Sequence, residues 1–317
     1  MSNPSTQGKV KSFYAWLLRR LGEAGLTLFV VMTLTFFLLR LMPGNPFDSD
    51  KGLSPLVRQA LEARFHLDEP LWTQFGLYLQ GLLQGNLGPS LTQEGRFVGD
   101  MLLESMPTSF LLGGLALGVG VPLGMLMAVW GNESKTPVVP NTLDSIASVL
   151  LASPSFLVAG FLILIFSVSL GWLPAATLTS PWHWVLPVLT LAVVPYTFTY
   201  LLLKQSLADE SSALYLQMKH AAGIPHTQVL WRHLLRNTWL PLLSLAGPLV
   251  ANVMTGSFAI EVLYAIPGLG RQFVSAIINR DYTVVMGSTL LYATLLLLMN
   301  LLADACIVGL DPRRRGG

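Results

Sequence analysis

Charge is scarce in this chain and cysteine almost absent, and each shortage narrows what it can be. Asp, Glu, Lys and Arg make up 11% of the 317 residues, against roughly 25% in soluble globular domains. The hydrophobic fraction is 52% and the mean hydropathy is +0.58. A water-soluble fold has no way to hide that much apolar surface, so lipid is the solvent for most of the chain. The single cysteine, Cys306, excludes a disulfide framework or a cysteine metal site within one chain. It lies in an apolar run and reads as a small buried or lipid-facing residue. A net charge of +2, with no basic stripe interleaved with aromatics, excludes a nucleic-acid binder. No G-x-x-x-x-G-K-[ST] phosphate loop is present. No nucleophile–base set or carboxylate cluster gathers at one place, so no catalytic residue is assigned. His66 and His183 look interfacial, while His220, His226 and His233 lie close together without zinc-site company, so no metal site is assigned either.

What the chain does have is apolar runs of bilayer length. Runs at about 21–42, 108–131, 144–170, 184–203, 241–263 and 285–309 predict an all-α integral membrane protein with six transmembrane helices. Helices are required because they alone satisfy every backbone group of an isolated apolar segment in hydrocarbon. Prolines at 122, 154, 187, 195 and 248 fall inside these runs and are expected to mark kinks, not ends. Lys9, Lys11, Arg19 and Arg20 before Leu26–Leu39 imitate a signal peptide, but no small-x-small cleavage site follows. The run is expected to remain as the first span.

With both termini cytoplasmic, twelve of the nineteen basic residues fall inside, including Lys135, Lys204, Lys219, Arg232, Arg236 and Arg313–Arg315. Arg40 ends the first span, where it is expected to snorkel to the outer interface. The organisation is then a cytoplasmic tail (1–20), the first helix (21–42), a long external segment (43–107), a five-helix core (108–309) and a cytoplasmic tail (310–317). The external segment is acidic, with eight acids against four bases. Leu56–Phe65 and Leu71–Leu83 read as amphipathic helices within it, between turn-forming Pro43–Pro46 and Gly85–Pro89.

The cytoplasmic loop 204–240 carries a helix–turn–helix pattern. Its turn is Ala221-Ala222-Gly223-Ile224-Pro225: Gly223 suits a left-handed C-cap, and Pro225 the first turn of the next helix. A surface of this kind fits a cleft on a cytoplasmic partner, small residues permitting close approach; the alternative is that Ala221 and Gly223 only shape the loop.

Gly223, followed by Trp231-Arg232-His233-Leu234-Leu235-Arg236-Asn237 and Leu240-Pro241, resembles the EAA-type coupling loop of binding-protein-dependent ATP-binding-cassette importers. Other segments resemble the peptide branch of that family. They are Thr33–Phe37 through Leu41–Pro46, His66-Leu67-Asp68-Glu69-Pro70, Gly85–Ser90, Gly256-Ser257 with Glu261, Pro267–Gly270, Asn279-Arg280-Asp281-Tyr282 and Leu310–Arg313. The likeness runs from about residue 17 to 313 and is strongest to the first permease subunit of an oligopeptide importer. It departs in the first coupling helix, where the usual Tyr-x-Arg-Thr-Ala-Arg-Ala-Lys-Gly is here Tyr215-Leu216-Gln217-Met218-Lys219-His220-Ala221-Ala222-Gly223.

The resemblance implies type I importer architecture in a bacterial inner membrane. Its implied partners are a second homologous permease, two cytoplasmic ATPases, an external substrate-binding protein and a peptide substrate. ATP and Mg would be bound by the ATPases, leaving this subunit without a cofactor. Tyr215, Lys219, His220, Ala221, Ala222, Gly223, Arg232 and His233 would contact the ATPase, and Asp68, Glu69, Arg280 and Asp281 would face the binding protein. Small polar residues suited to a weakly binding pore are Ser153 and Ser155 in the third span and Asn252, Thr255 and Ser257 in the fifth. The same residue types also let membrane helices pack closely. Glu261 and Asp304, acids in or near apolar runs, are functional candidates or local ion-pair partners.

A proton-coupled secondary transporter would want paired mid-membrane acids with a basic partner, and a membrane enzyme a clustered catalytic set; neither pattern is evident. Relatives moving dipeptides, nickel chelates, haem or other small solutes share the permease pattern. Gly223→Asp is expected to leave membrane insertion intact and abolish uptake, because it adds bulk and charge at the tight turn. Uptake by membranes bearing equal amounts of the variant checks this, and normal uptake counts against the coupling role.

Overall fold

The computed structural model describes residues 4–42, 47, 55–211, 246–254 and 258–310. Among them no strand forms; one isolated bridge joins Pro89 and Phe97. The helices are α1 (Pro4–Leu41), α2 (Pro55–Arg64), α3 (Leu71–Leu83), α4 (Val98–Glu133), α5 (Val138–Ala152), α6 (Ser155–Leu162) and α7 (Val185–Ser211). After the undescribed stretch come α8 (246–254), α9 (Phe258–Leu263), α10 (Leu269–Ile278) and α11 (Tyr282–Leu310).

Among the described residues five stretches are long and apolar enough to cross a bilayer: Trp16–Leu41, Val98–Glu133, Pro181–Asp209, Ala246–Leu263 and Tyr282–Ile307. The 26 residues of the first extend about 39 Å at 1.5 Å each, enough for a hydrocarbon core of about 30 Å. Its apolar side chains face outward, with Leu26 66%, Leu34 57% and Leu38 62% exposed. That is the inverse of a soluble core and what lipid or partner helices require. α2 and α3 form within a residue of where their amphipathic pattern placed them. α4 begins at Val98, so the helix of the second span starts ten residues before the apolar run expected from 108.

The third span differs from expectation. Val138–Ala152 and Ser155–Ser169 are apolar enough only when taken together, and they meet at 111°. Pro154 marks an end here, not a kink. Its ring disfavours helical geometry at the preceding residue, and Ser153 is extended at φ −85°, ψ 127°. The Ser153 hydroxyl donates back to the Val149 carbonyl at 2.7 Å, and the Pro154 carbonyl accepts from Leu157 and Val158 at 3.0 and 3.3 Å to open α6. α6 then widens into a π-helical segment, Ile163–Ser169. Pro122 and Pro195 stay within continuous helices and so do not end them.

By their contacts the residues divide into two units, Met1–Ser109 with Pro267–Leu297 and Phe110–Ile266 with Leu298–Gly317. In the first, α1 packs on α3 through aromatic edges: Phe36 lies 5.1 Å from Phe75 and Phe37 5.1 Å from Trp72, ring centre to ring centre. The buried Ser109 hydroxyl oxygen accepts the Leu269 amide at 2.8 Å, satisfying a donor in the first turn of α10.

The second unit has two apolar clusters. One gathers Leu112, Ala116, Ala159, Leu186, Leu191, Val253 and Tyr264; the other Ala128, Leu143, Ala147, Tyr200, Leu203 and Leu207. Close approach depends on two glycines of α4. A Cβ on Gly120 would sit 2.5 Å from the Ala192 carbonyl oxygen, and one on Gly124 2.6 Å from that of Tyr196. These contacts press backbone against backbone, as small-residue membrane interfaces do.

Gly120→Ala should therefore force α4 from α7 at a cost of about 1–3 kcal/mol, seen as a melting temperature several degrees lower in detergent. Gly118→Ala, whose Cβ meets nothing within 4 Å, should leave the melting temperature unchanged.

Candidate functional site

The residues expected to face a binding protein sit on two turns of the first unit. His66 adopts a left-handed conformation at φ 55° and closes α2, with the Leu67 amide donating to the Glu62 carbonyl at 2.9 Å. Asp68 and Glu69 follow and are exposed. Gln74, buried beneath them, donates to the Glu69 carbonyl at 2.8 Å and the Leu67 carbonyl at 3.2 Å. Its side-chain oxygen accepts from Arg40 Nε at 2.6 Å. Arg40 does not run out to water as snorkelling would have it: its guanidinium lies over Phe36 at 4.2 Å and faces Tyr282 at 5.8 Å. Beside it, burial pushes the Tyr78 phenol up to about 12, the Arg40 charge opposing the shift. Tyr78 therefore stays neutral through the physiological range.

Arg280 and Asp281 form the second turn, and they part company. Arg280, at φ 56°, holds the left-handed position that ends α10; its amide donates to Ile277 at 3.2 Å and that of Asp281 to Ala276 at 2.8 Å. Asp281 is only 2% exposed, so its carboxylate does not face outward with Asp68 and Glu69. One oxygen accepts the Val284 amide at 3.2 Å, capping α11, and the Leu91 amide at 3.2 Å. The other accepts Ser90 Oγ, Thr92 Oγ1 at 2.9 Å and the Thr92 amide at 3.3 Å. Two motifs that the sequence shows far apart, Gly85–Ser90 and Asn279–Tyr282, thus close on one carboxylate. Gly88 permits it: φ is 89°, and a Cβ would come 2.9 Å from Thr283 Cγ2. An acid just before an apolar run was a legible N-cap signal; its loop partner was not.

In the second unit, Ser153 and Ser155 flank the 111° bend and are half-buried. Asn252, exposed on α8, opens onto a cavity of about 280 Å³ lined also by Val194, Phe198, Thr199, Leu202, Pro248 and Leu249. The wall is apolar with two polar groups, and the volume falls below that of usual ligand pockets, about 300–1,000 Å³. Thr255 and Ser257 lie outside the described residues, as do all the coupling candidates: Tyr215, Lys219, His220, Ala221, Ala222, Gly223, Arg232 and His233.

Near the end of α7 the structure reveals a cluster the sequence reading did not assemble. Asp144 on α5 accepts the Tyr200 hydroxyl at 2.8 Å on one oxygen and Lys204 Nζ on the other. Tyr200 and Lys204 are one helical turn apart, a usable signal; Asp144, which they share, is distant in sequence. Glu261 is wholly enclosed in α9 and does not reach water. His183 holds a local capping arrangement, Nδ1 lying 2.8 Å from Ser180 Oγ and Nε2 3.2 Å from Thr179 Oγ1.

Residues 120–316 match the family described as binding-protein-dependent transport system inner membrane component, and residues 13–108 match its N-terminal part. The chain is 37% identical over 298 residues to the dipeptide transport system permease protein DppB of Bacillus subtilis, covering 94% of this chain and 97% of that protein. It is 33% identical over 302 residues to the oligopeptide transport system permease protein OppB of Haemophilus influenzae, covering 95% and 99%. The same identity extends over 306 residues of OppB from Escherichia coli K12, covering 95% and 99%. Among solved structures, the MetNI methionine ABC transporter in an inward-facing form matches with a TM-score of 0.54 at 18% identity, covering 68% of this chain and 96% of that one. At that identity the likeness is one of fold.

Asp281→Ala should strand the donors of Ser90, Leu91, Thr92 and Val284 at a cost of about 1–3 kcal/mol or more. Hydrogen exchange should rise across 88–97 and at the start of α11, with Asp281→Asn, which keeps a cap acceptor, affected less. Unchanged exchange in the alanine variant would refute the latch.

Proposed function

Since the chain belongs to the family of inner-membrane components of binding-protein-dependent transport systems, we propose that it is the permease subunit through which a peptide crosses the bacterial inner membrane. The observation that carries the reading is near full-length likeness to both a dipeptide and an oligopeptide permease. Oligopeptides are the favoured cargo and dipeptides the close second.

Its partners in this reading are a second homologous permease, two cytoplasmic ATPases that hold ATP and Mg, and an external binding protein. The subunit itself breaks no bond and holds no cofactor. It converts between inward- and outward-open arrangements, and ATP binding to the ATPases shifts their populations through differential affinity for the two. The turn around Gly223, with Tyr215, Lys219, His220, Ala221, Ala222, Arg232 and His233, is the contact to the ATPase, on the side that the excess of Lys and Arg marks as cytoplasmic. Asp68, Glu69 and Arg280 face the binding protein; Asp281 supports that face from beneath. Ser153, Ser155, Asn252, Thr255 and Ser257 supply weak polar groups to the path, which suits a cargo of varied sequence because strong binding would trap it.

The deciding measurement is ATPase activity of the complete complex in lipid, with binding protein loaded with peptide or with a nickel chelate. Stimulation by the peptide-loaded protein alone is expected. Stimulation by neither, with ATPases failing to co-purify, would overturn the reading.

A further inference from the structure

Helix α7 holds both arms of the bent pair, and it holds them differently. Toward its start, Leu186, Val188 and Leu191 share an apolar cluster with Ala159 of α6. Toward its end, Leu203 and Leu207 pack with Leu143 and Ala147 of α5, and between those two α5 residues stands Asp144. Apolar contact is non-directional and tolerates sliding. The Asp144 carboxylate does not: one oxygen is bonded to Tyr200 Oη and the other to Lys204 Nζ, and charge-assisted hydrogen bonds of this kind fix geometry. Tyr200 is itself set in place, 1% exposed and stacked on Tyr196 with ring centres 6.2 Å apart. α5 is thus pinned in register to the last three turns of α7 by a charge-assisted contact, whereas α6 meets α7 through apolar packing and the neutral Tyr264 hydroxyl, which lies 2.9 Å from Thr190 Oγ1 and donates to the Ala159 carbonyl at 3.5 Å. The pin stands at the middle of α5, and the Ser153–Pro154 bend follows the end of that helix.

We propose that Asp144 is a positioning residue for transport: by locking α5 to α7 at Tyr200 and Lys204, it carries movement of the end of α7 to the bend between α5 and α6. This rests on the permease reading above, in which force from the ATPases enters through the segment that follows α7. The pair is half-exposed, Lys204 41% and Asp144 34% at the side chain, so it adds little to stability. Its directional hold is what the fold gains from it.

The test uses the assembled complex in lipid with wild type, Asp144→Ala, Lys204→Asp and the exchanged pair Asp144→Lys/Lys204→Asp. Hydrogen exchange is read at 155–169 and at 204–211 with and without ATP. Wild type should respond in both segments, whereas Asp144→Ala should respond only at 204–211, with all subunits still co-purifying. Peptide taken up per ATP hydrolysed should fall about tenfold, the scale of a modest coupling free energy. The exchanged pair should restore a large part of both readouts, where Lys204→Asp alone does not. An ATP response at 155–169 that survives in Asp144→Ala would overturn the proposal. So would loss of subunits from the complex that the exchanged pair fails to repair, since that marks a purely structural role. The exchange readout needs ATP but no known cargo, so a wrong cargo would show in the uptake arm while leaving this test intact.

Discussion

The hydrocarbon core offers no hydrogen-bond partner to an exposed amide or carbonyl, and that lack governs the rest of this structure. It makes the spans helical, and it demands that each departure from a regular helix carry its own partners. At the bend after α5 the Ser153 hydroxyl folds onto the Val149 carbonyl. In the π-helical stretch Ser169 Oγ folds onto Leu164 at 2.8 Å. Thr190, Thr197, Thr289 and Thr294 each donate to the carbonyl one turn back, so their hydroxyls enter an apolar setting satisfied. Backbone irregularity is present, but locally compensated.

A second consequence is that helices cannot be driven together by hydrophobic burial, since lipid is as apolar as leucine. Close packing and a few polar knots take over. Gly120 and Gly124 bring α4 against the backbone of α7. Two carboxylates act as knots, each gathering donors from elements distant in sequence: Asp281 joins the 90–92 loop to the start of α11, and Asp144 joins α5 to α7. In a chain with so few charges, these acids serve as joints.

These features suit a subunit that must hold its shape yet change arrangement. The turns of the first unit are stiffened by Gln74, Arg40 and Asp281, and the acidic pair Asp68 and Glu69 is exposed there. The second unit keeps a sharp bend beside non-directional apolar contacts. Rigid elements joined at a few oriented contacts transmit a displacement; a uniformly oily bundle would dissipate it.

Bilayer-length apolar runs are a one-dimensional property, so five of the spans could be read from residue order, as could α2 and α3 from their amphipathic period, while the third run proved to be a bent pair. The ordered motifs from residue 17 to 313 likewise carried the family. Proline shows where that reading stops. Pro154 and Pro195 both interrupt apolar runs, yet one ends a helix at a 111° bend and the other remains inside α7; neighbours, not the residue, chose between them. Asp281 reads as exposed from its polar turn but is enclosed, because a loop some 190 residues earlier in the chain closes on it. Arg40 likewise finds Phe36 and Gln74 in place of water. The sequence by itself determined solvent, span length and family, because those follow from local hydrophobicity and motif order. The tertiary structure decided which acids became joints and which proline became a bend, because those depend on partners that only long-range packing brings within hydrogen-bonding distance.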